Sequence, residues 1–390
     1  MVHFNCSTRG EQIMVQLGRL FKKTAGNIPN EDSRRTKFKF SMGRCGAVSF
    51  LVVAVLAMLA AAMPWLMSAL LQHMFTAPGQ EPWRSGSLRL INISGMPAQA
   101  LNSAERAWEL SAPNSKFLHK KDDVWVASYV KSGTTWTIGI LAALFGHEAA
   151  QYAGNLQKTT RNFCPQPELP DLGWGDDGFG HSIEELNAWQ SRRCFKTHWP
   201  SKDHVVSNGK SKFIYVMRNA QDQMTSHWNQ VWGMGFHYGT QNLTFDEGWA
   251  GFVDDWLNGD VENGQWFDHV ASWYARKDDP DVLFLRFEAL KADPGAVISR
   301  IAQFLDITDK RIDDVVEITS FANMRKADEN DAGLKFMRWL GVLRKKHIRQ
   351  GEVGAGGARF NAVQLAAMEK KFDEKLKPLG MPRDWVFLET

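Results

Sequence analysis

The sequence has few cysteines and lacks any cluster of metal ligands. Four cysteines occur in 390 residues, and the spacing of Cys6, Cys45, Cys164 and Cys194 fits neither a zinc site nor a disulfide-rich framework. No group of His, Cys and Asp residues has the spacing of a metal site. We therefore expect a site without a metal ion, and a single Cys164–Cys194 bridge stays open.

An excess of charge of one sign is also missing. The formal net charge is +3 at pH 7, and the lysines and arginines are dispersed rather than gathered in a stripe. Proteins that bind nucleic acid carry a basic patch or stripe, so we expect no nucleic-acid partner.

Strand-like and helix-like patterns alternate from about residue 115 onward. Short β-branched and aromatic runs predict strands at about 124–130, 193–197, 212–217 and 282–287. Apolar residues at helical spacing predict helices at 134–147, 219–231, 264–277, 294–305 and 361–377. This alternation is typical of a parallel sheet with helices on both faces. We therefore expect an α/β fold of three layers, α/β/α, with a central parallel sheet.

The most informative segment follows the first predicted strand. It reads Tyr129-Val130-Lys131-Ser132-Gly133-Thr134-Thr135-Trp136, and a helical pattern begins within it. A strand, a tight loop and a helix aim backbone N–H groups and a helix N-terminus at an anionic phosphate. Lys131 adds a positive charge, and Gly133 permits an unusual backbone angle. The segment therefore predicts a P-loop-like phosphate cradle.

The loop does not have the Walker A pattern. That pattern requires Gly, four residues and then Gly-Lys-Ser/Thr, whereas Lys131 precedes Gly133 here. A surface turn that caps an ordinary helix is an alternative interpretation of the same residues, and the rest of the chain decides between the two.

Further segments occur in the order and spacing of a known family. They are Phe195-Lys196-Thr197-His198-Trp199-Pro200, the run Lys212–Asp222 that ends in Arg218-Asn219-Ala220-Gln221-Asp222 with Ser226 after it, Thr319-Ser320-Phe321 with Met324, and Arg349-Gln350-Gly351. Together with the loop they resemble the cytosolic-type sulfotransferases, which use 3′-phosphoadenylyl sulfate (PAPS). The resemblance covers roughly 115–385. The loop of that family usually reads Tyr-Pro-Lys-Ser-Gly-Thr-Thr-Trp, so Val130 stands in place of a proline.

The resemblance implies a catalytic chemistry. A sulfotransferase of this type moves a sulfuryl group in line from PAPS to a hydroxyl, or an amine, of a small acceptor. His198 is the expected base, because imidazole titrates near neutral pH and can take the acceptor proton. Lys131 and Lys196 are expected to neutralise the charge that develops on the bridging oxygen as the sulfur–oxygen bond breaks.

The resemblance also assigns residues to the nucleotide. Arg218 and Ser226 would hold the 3′-phosphate, because a guanidinium suits multidentate phosphate contacts. Trp136 and Phe321 would flank the adenine, and Thr319 would contact it. The full set expected to bind the cofactor is Lys131, Ser132, Gly133, Thr134, Thr135, Trp136, Arg218, Ser226, Phe287, Thr319, Phe321, Met324, Arg349, Gln350 and Gly351.

Two departures from the family pattern affect the nucleotide side. Phe287 replaces a tyrosine, which removes one hydroxyl, and Gln350 replaces a lysine, which removes one positive charge. Both changes are expected to weaken nucleotide affinity, and neither touches the chemistry.

Two other functions stay open. A P-loop nucleotide kinase would need Mg²⁺ and a Walker A loop, and the arginine at position 218 stands where such enzymes often have a metal-binding Asp. A catalytically silent nucleotide-binding module of the same fold would not need Lys131, Lys196 and His198 together. Binding of adenosine 3′,5′-bisphosphate (PAP) without Mg²⁺, followed by a turnover assay, would separate the three.

The N-terminal part contains a long apolar run. Residues 46–71 carry no charge, and they can cross a hydrocarbon core of about 30 Å at about 1.5 Å per residue. Nine Lys/Arg and three Asp/Glu precede the run, and this bias places the N-terminus in the cytosol. We expect a basic segment 1–45, a single-pass membrane helix 46–71, a linker 72–114 and the sulfotransferase domain 115–390. The alternatives are a signal peptide, and a buried helix in a soluble cytoplasmic protein.

Aromatic residues are dense in the stretch where the family places its acceptor loops. They can line a pocket for an aromatic or apolar small molecule, or they can pack amphipathic helices, and the sequence leaves both interpretations open. These residues are Trp228, Trp232, Phe236, Trp249, Phe252, Trp256, Trp266 and Trp273. The sequence does not indicate the oligomeric state.

Overall fold

The structure is a computed structural model, and it describes the following residues of the chain. These are 117–146, 163–166, 183–190, 192–201, 211–234, 240, 243–261, 263–308, 311–339, 343–345, 348 and 351–388. All of them lie in the second of two units into which the chain divides, Ala60–Thr390. The predicted segments 1–45, 46–71 and 72–114 fall outside these residues.

Four parallel strands form the central sheet over the described part of the chain. They are β1 (Val124–Ser128), β2 (Cys194–Thr197), β3 (Lys212–Met217) and β4 (Val282–Arg286). Their order is β2-β1-β3-β4, and Val124 pairs with Cys194 on one side and with Lys212 on the other. The chain therefore passes from β1 to one neighbour and then crosses to the other. Ligands of open parallel sheets bind at the carboxyl ends of the strands beside such a crossing point.

Eleven helices are seen in the described residues. They are α1 (Thr134–Leu144), α2 (Ile183–Ala188), α3 (Ala220–Gly233), α4 (Trp249–Asn258), α5 (Trp266–Tyr274), α6 (Phe287–Ala292), α7 (Pro294–Phe304), α8 (Ile312–Ile318), α9 (Phe321–Asn330), α10 (Ala332–Trp339) and α11 (Ala362–Lys375). Short 3₁₀ turns occupy Gly357–Arg359, Lys377–Leu379 and Arg383–Trp385. The five predicted helices correspond to α1, α3, α5, α7 and α11.

Local sequence explains where several helices begin. Asn219 caps α3 by accepting the backbone N–H of Asp222, and Asp293 caps α7 in the same way before Pro294. α11 begins with a capping box between Asn361 and Gln364.

The two faces of the sheet bury different side chains. Alternate residues of a strand point to opposite faces, so Trp125 and Phe213 join an aromatic-rich core with α3, α4, α5 and α11. Val126 and Ile214 join an aliphatic core with α1 and α7 on the other face. Helices thus cover both faces, and the predicted three-layer α/β/α fold is confirmed.

The dense aromatic stretch packs in the core. Trp228, Phe252, Trp256, Trp266 and Trp273 are all fully buried, Trp249 is buried, Trp232 is partly buried and Phe236 lies outside the described residues. The indole of Trp228 donates to the Phe245 carbonyl at 2.8 Å, and that of Trp273 to the Trp199 carbonyl at 3.0 Å. The packing interpretation therefore holds for the described members, and their number does not indicate an aromatic acceptor.

The Cys164–Cys194 bridge, which the sequence left open, is formed in the structure. Cys164 and Cys194 are bonded, with a Cα–Cα distance of 4.6 Å. The bridge holds residues 163–166 against the edge strand β2, where the Lys196 backbone N–H donates to the Pro165 carbonyl at 2.9 Å. The outer edge of β2 is thus covered next to Lys196.

Neither a membrane helix nor a metal cluster is found in the described part of the chain. No helix there is both long and apolar enough to cross a bilayer, and the predicted span 46–71 lies outside the described residues. Over the same residues, no three His, Cys, Asp or Glu side chains are grouped so that they could hold a metal ion.

Candidate active site

The loop between β1 and α1 has the backbone of an anion cradle. Lys131 adopts a φ of 64° and Gly133 a φ of 112°. A left-handed conformation at a non-glycine residue is uncommon and is found most often at functional sites. A Cβ on Gly133 would lie 2.8 Å from Cδ2 of Phe287, so glycine also permits a close contact there. Alternating turn conformations of this kind direct successive N–H groups toward one concave point.

The start of α1 suits a negative charge. Within the described residues, no side chain caps this helix, and its first turn contains no acidic residue. Ser132 is fully buried, yet its Oγ has no hydrogen-bond partner in the described chain. Thr134 shares a 2.6 Å hydrogen bond with Ser128. An open helix N-terminus and an unpaired buried hydroxyl both fit a phosphate oxygen.

His198 lies one residue beyond the carboxyl end of β2. Its Nδ1 is 2.8 Å from the Ser128 carbonyl, at the end of β1. A carbonyl only accepts hydrogen bonds, so Nδ1 carries the proton and Nε2 keeps a lone pair. Burial, and next the positive charge of Lys196, hold the pKa of His198 well below its ordinary value, although the bond to Ser128 opposes them. The ring is therefore a neutral imidazole with Nε2 ready to accept a proton.

The backbone of His198 is held from α5. His269 Nε2 donates to the His198 carbonyl at 3.1 Å, and the Tyr215 hydroxyl lies 3.0 Å from His269 Nδ1. Because Nε2 donates, Nδ1 accepts from the hydroxyl. Sequence reasoning missed His269, since its spacing is that of an ordinary core residue of a helix.

Arg218 follows β3 and contacts both the sheet end and a distant loop. Its guanidinium lies 4.6 Å from the ring centroid of Phe287, and Nη2 donates to the Glu352 carbonyl at 3.0 Å. Nη2 is also 3.7 Å from Oδ2 of Asp222. Ser226, two helical turns farther along on α3, is half-buried.

Asp222 anchors the loop that begins at Gly351. Its two carboxylate oxygens accept the backbone N–H groups of Gly354 at 2.9 Å and Gly356 at 2.8 Å. Asp222 is the last residue of the motif that contains Arg218, but no role was predicted for it. The contact spans more than 130 residues, so no local pattern could reveal it.

The residues predicted for the adenine lie around α1, α6 and α9. Trp136 meets Phe287 edge-on at 5.8 Å. Gly351 has a φ of 60°, and a Cβ there would lie 2.6 Å from Cε2 of Phe321. The Met324 sulfur would lie 3.4 Å from a Cβ on Gly139.

Of three other residues predicted to bind the nucleotide, the structure describes Thr319 but not Arg349 and Gln350. Thr319 is the C-cap of α8, and its hydroxyl donates to the Val315 carbonyl of that helix at 2.8 Å. The hydroxyl proton is therefore already used in a hydrogen bond within the protein. Arg349 and Gln350 lie outside the described residues.

Gln223 supports the phosphate loop from behind. Its Nε2 donates to the Val130 carbonyl at 2.8 Å, and its Oε1 accepts the Trp256 indole N–H at 2.9 Å. Val130 is the position where the family usually has proline. Sequence reasoning missed Gln223, because a polar residue on a buried helix face is not expected from the pattern.

Comparison with known proteins gives the family. The family described as "Sulfotransferase domain" matches residues 121–380. Rat sulfotransferase 1C2 is 27% identical over 76% of this chain and 95% of the rat protein. Human sulfotransferase 1C2 is 30% identical over 66% of this chain and 83% of the human protein.

A solved structure agrees with these relatives. The mouse sulfotransferase SULT7A1, crystallised in complex with PAP, is similar with a TM-score of 0.54 and 28% identity, over 71% of this chain and 91% of that one. The fold, the phosphate cradle and the family match thus point the same way. The chain belongs to the sulfotransferase domain family, and it is a sulfotransferase that takes its sulfuryl group from PAPS.

Proposed function

We propose that this sulfotransferase transfers the sulfuryl group directly and in line, with His198 as the base. The acceptor oxygen or nitrogen attacks sulfur, its proton moves to Nε2 of His198, and the sulfur–oxygen bond to the phosphate breaks. PAP then leaves with the electron pair of that bond. The observation that supports this role most is the 2.8 Å contact from Nδ1 to the Ser128 carbonyl, because it leaves Nε2 as the basic nitrogen.

Lys131 and Lys196 are proposed to stabilise the leaving phosphate. Lys131 lies in the left-handed loop that directs N–H groups at one point, and Lys196 is close enough to His198 to lower its pKa. Fixed positive charge is most useful where negative charge develops during the reaction. Ser132, Gly133, Thr134 and Thr135 would complete the cradle around the same phosphate.

Arg218 and Ser226 are proposed to bind the 3′-phosphate. Arg218 stands at the end of β3 and already contacts the loop that begins at Gly351 through Glu352. Trp136, Phe287, Phe321 and Met324 would enclose the adenine, with Thr319 behind them and Arg349, Gln350 and Gly351 closing over the 3′-phosphate.

Two measurements test this function. PAP should bind without Mg²⁺ in a calorimetric titration, and incubation with PAPS and an acceptor library should yield products heavier by one SO₃ unit. A dependence of binding on Mg²⁺ would favour a nucleotide kinase. Tight binding without any product would favour a silent module.

We further propose that the enzyme is tethered to a membrane with its catalytic domain translocated. Residues 46–71 are uncharged and follow a segment rich in Lys and Arg. The Cys164–Cys194 disulfide adds independent support, because disulfides persist in oxidising compartments and are rare in the cytosol. The acceptor would then be a small molecule reached on that side of the membrane.

Deleting residues 1–75 should release an active enzyme that needs no detergent, because every matched motif lies downstream. Turnover of the truncated and full-length proteins is compared at equal concentration. As a control for topology, protease is added to sealed vesicles that contain the full-length chain. A full-length protein that dissolves without detergent, or a catalytic domain digested from the cytosolic face, contradicts the tether while leaving the enzyme proposal intact.

A further inference from the structure

His227 is a buried histidine whose ring forms no hydrogen bond with the residues that the structure describes. It lies on α3, is 1% exposed, and neither Nδ1 nor Nε2 has a partner in the described chain. Burial, and next the positive charge of Lys131, lower the pKa of His227 to about 3. The ring is therefore neutral at physiological pH, with one nitrogen that can donate and one that can accept.

Such a ring needs an explanation, because buried polar groups are nearly always paired. The two aromatic side chains beside it follow the rule. The Tyr129 hydroxyl donates to a backbone carbonyl at 2.7 Å. His269 uses both ring nitrogens, one with the Tyr215 hydroxyl and one with the His198 carbonyl. The hydroxyls of Thr225 and Ser132 are buried without a partner in the described chain, as His227 is, so the unpaired groups lie together on α3 and the phosphate loop.

His227 lies on the side of the site where the acceptor has to bind. The ring meets Tyr129 edge-on at 6.1 Å, and Tyr129 begins the loop that contains Lys131. Lys131 lowers the pKa of His227, and His227 contributes to the lowered pKa of His198. An acceptor must reach both the sulfur held by that loop and Nε2 of His198, so it binds beside His227.

The nucleotide is not the expected partner of this ring. Consecutive residues of a helix point about 100° apart, so His227 and its neighbour Ser226 face different parts of the site. The ring of His227 also packs edge-on against Phe252, with 5.2 Å between the ring centroids, and the phenylalanine side chain has no polar atom that could pair with a ring nitrogen. The acceptor is therefore the candidate partner of His227.

We propose that His227 hydrogen-bonds a second polar group of the acceptor, separate from the atom that receives the sulfuryl group. The acceptors would be small molecules with a hydroxyl, carbonyl or amide in addition to the sulfated hydroxyl or amine. An acceptor without the second group leaves the buried imidazole unpaired, and sites built around such a hydrogen bond reject that analogue. The inference rests on the proposed function and narrows its substrate class.

The test uses matched pairs of acceptors that differ by one hydroxyl or carbonyl, drawn from the compounds that the full-length enzyme sulfates. The wild-type kcat/KM should be higher for the member with the extra group. His227→Phe should lower kcat/KM for that member about 10-fold, while the simpler member and the Kd for PAP change less than about twofold. His227→Asn, whose amide offers both a donor group and an acceptor group, should retain part of the discrimination.

His119→Phe is the matched control, since His119 precedes β1 at the opposite end of the sheet and should leave the preference intact. The inference is overturned if wild type does not discriminate within pairs, or if His227→Phe lowers both members equally. If His227→Phe does not fold, His227→Ala replaces it, and an equal loss for both members overturns the inference in the same way. An enzyme that neither binds PAP nor sulfates any compound instead refutes the proposed function itself.

Discussion

Replacing His198 with alanine should lower kcat by about 10²–10⁴-fold while the affinity for PAP stays nearly unchanged. The ring is oriented by its 2.8 Å contact with the Ser128 carbonyl, and the variant loses the base without disturbing the phosphate loop that begins after Ser128. Turnover at saturating PAPS and acceptor gives the loss in kcat. A calorimetric titration with PAP gives the affinity.

His119→Ala is the control, because it removes a histidine that lies outside the site. His119 is half-buried and precedes β1, at the end of the sheet away from the site. We expect it to keep both turnover and PAP affinity. A His198→Ala variant that retains more than about a tenth of the wild-type turnover would show that another group takes the proton.

The pH dependence gives the same base a second test. Burial and the charge of Lys196 hold the pKa of His198 below its ordinary value, and the neutral form is the active one. Activity should therefore be lost only as the pH falls through this lowered pKa. The kcat/KM for PAPS reports the free enzyme and free PAPS, so through the range where an ordinary histidine titrates it should follow only the ionisation of the 3′-phosphate of PAPS, which is titrated separately. A decline beyond that of the phosphate contradicts the assignment.

The parts of the site that the sequence could predict are those encoded by neighbouring residues. The cradle depends on the strand, the loop and the helix from Val124 to Leu144, which are consecutive in the chain. His198 and Arg218 were placed by the same reasoning, because each directly follows a strand and parallel strands end at one edge. Their positions relative to one another follow from the sheet order.

What could not be predicted depends on contacts between distant residues. Gln223 reaches Val130 across 93 positions, and Asp222 reaches Gly354 across 132. A polar residue on a helix looks the same in sequence whether it faces a loop carbonyl or water. The aromatic stretch was ambiguous for a related reason, since a tryptophan in a core and one in a pocket have the same helical spacing.

His227 illustrates the limit most clearly. Its neighbours on α3 show an amphipathic pattern, and a histidine there is expected to pack in the core. Only the structure shows that both ring nitrogens lack a partner among the described residues while the ring is buried beside Tyr129 and Phe252. Satisfaction of hydrogen bonds is a property of the folded chain, so periodicity alone cannot give it.

The two phosphate sites should respond differently to loss of their cations. Lys131→Ala should lower kcat by about 10²–10³-fold, with a smaller change in PAPS affinity, because its charge is most valuable when the leaving phosphate gains negative charge. The variant retains a Cβ, so the strain of the left-handed φ of 64° is the same in both proteins. Arg218→Ala should instead weaken PAP and PAPS binding about 10–100-fold, since the 3′-phosphate does not change its charge during the reaction.

Steady-state kinetics and PAP titrations are compared for both variants, with Arg300→Ala as the control. Arg300 is exposed on α7, so its loss removes the same charge from the protein without altering the site. Loss of Arg218 also frees the Glu352 carbonyl and one neighbour of Asp222, so part of its effect on binding will come from weaker anchoring of the loop that begins at Gly351. If Lys131→Ala weakens binding alone and Arg218→Ala lowers kcat alone, then the two phosphates occupy the opposite positions, and the scissile bond lies at the end of β3 rather than at the loop after β1.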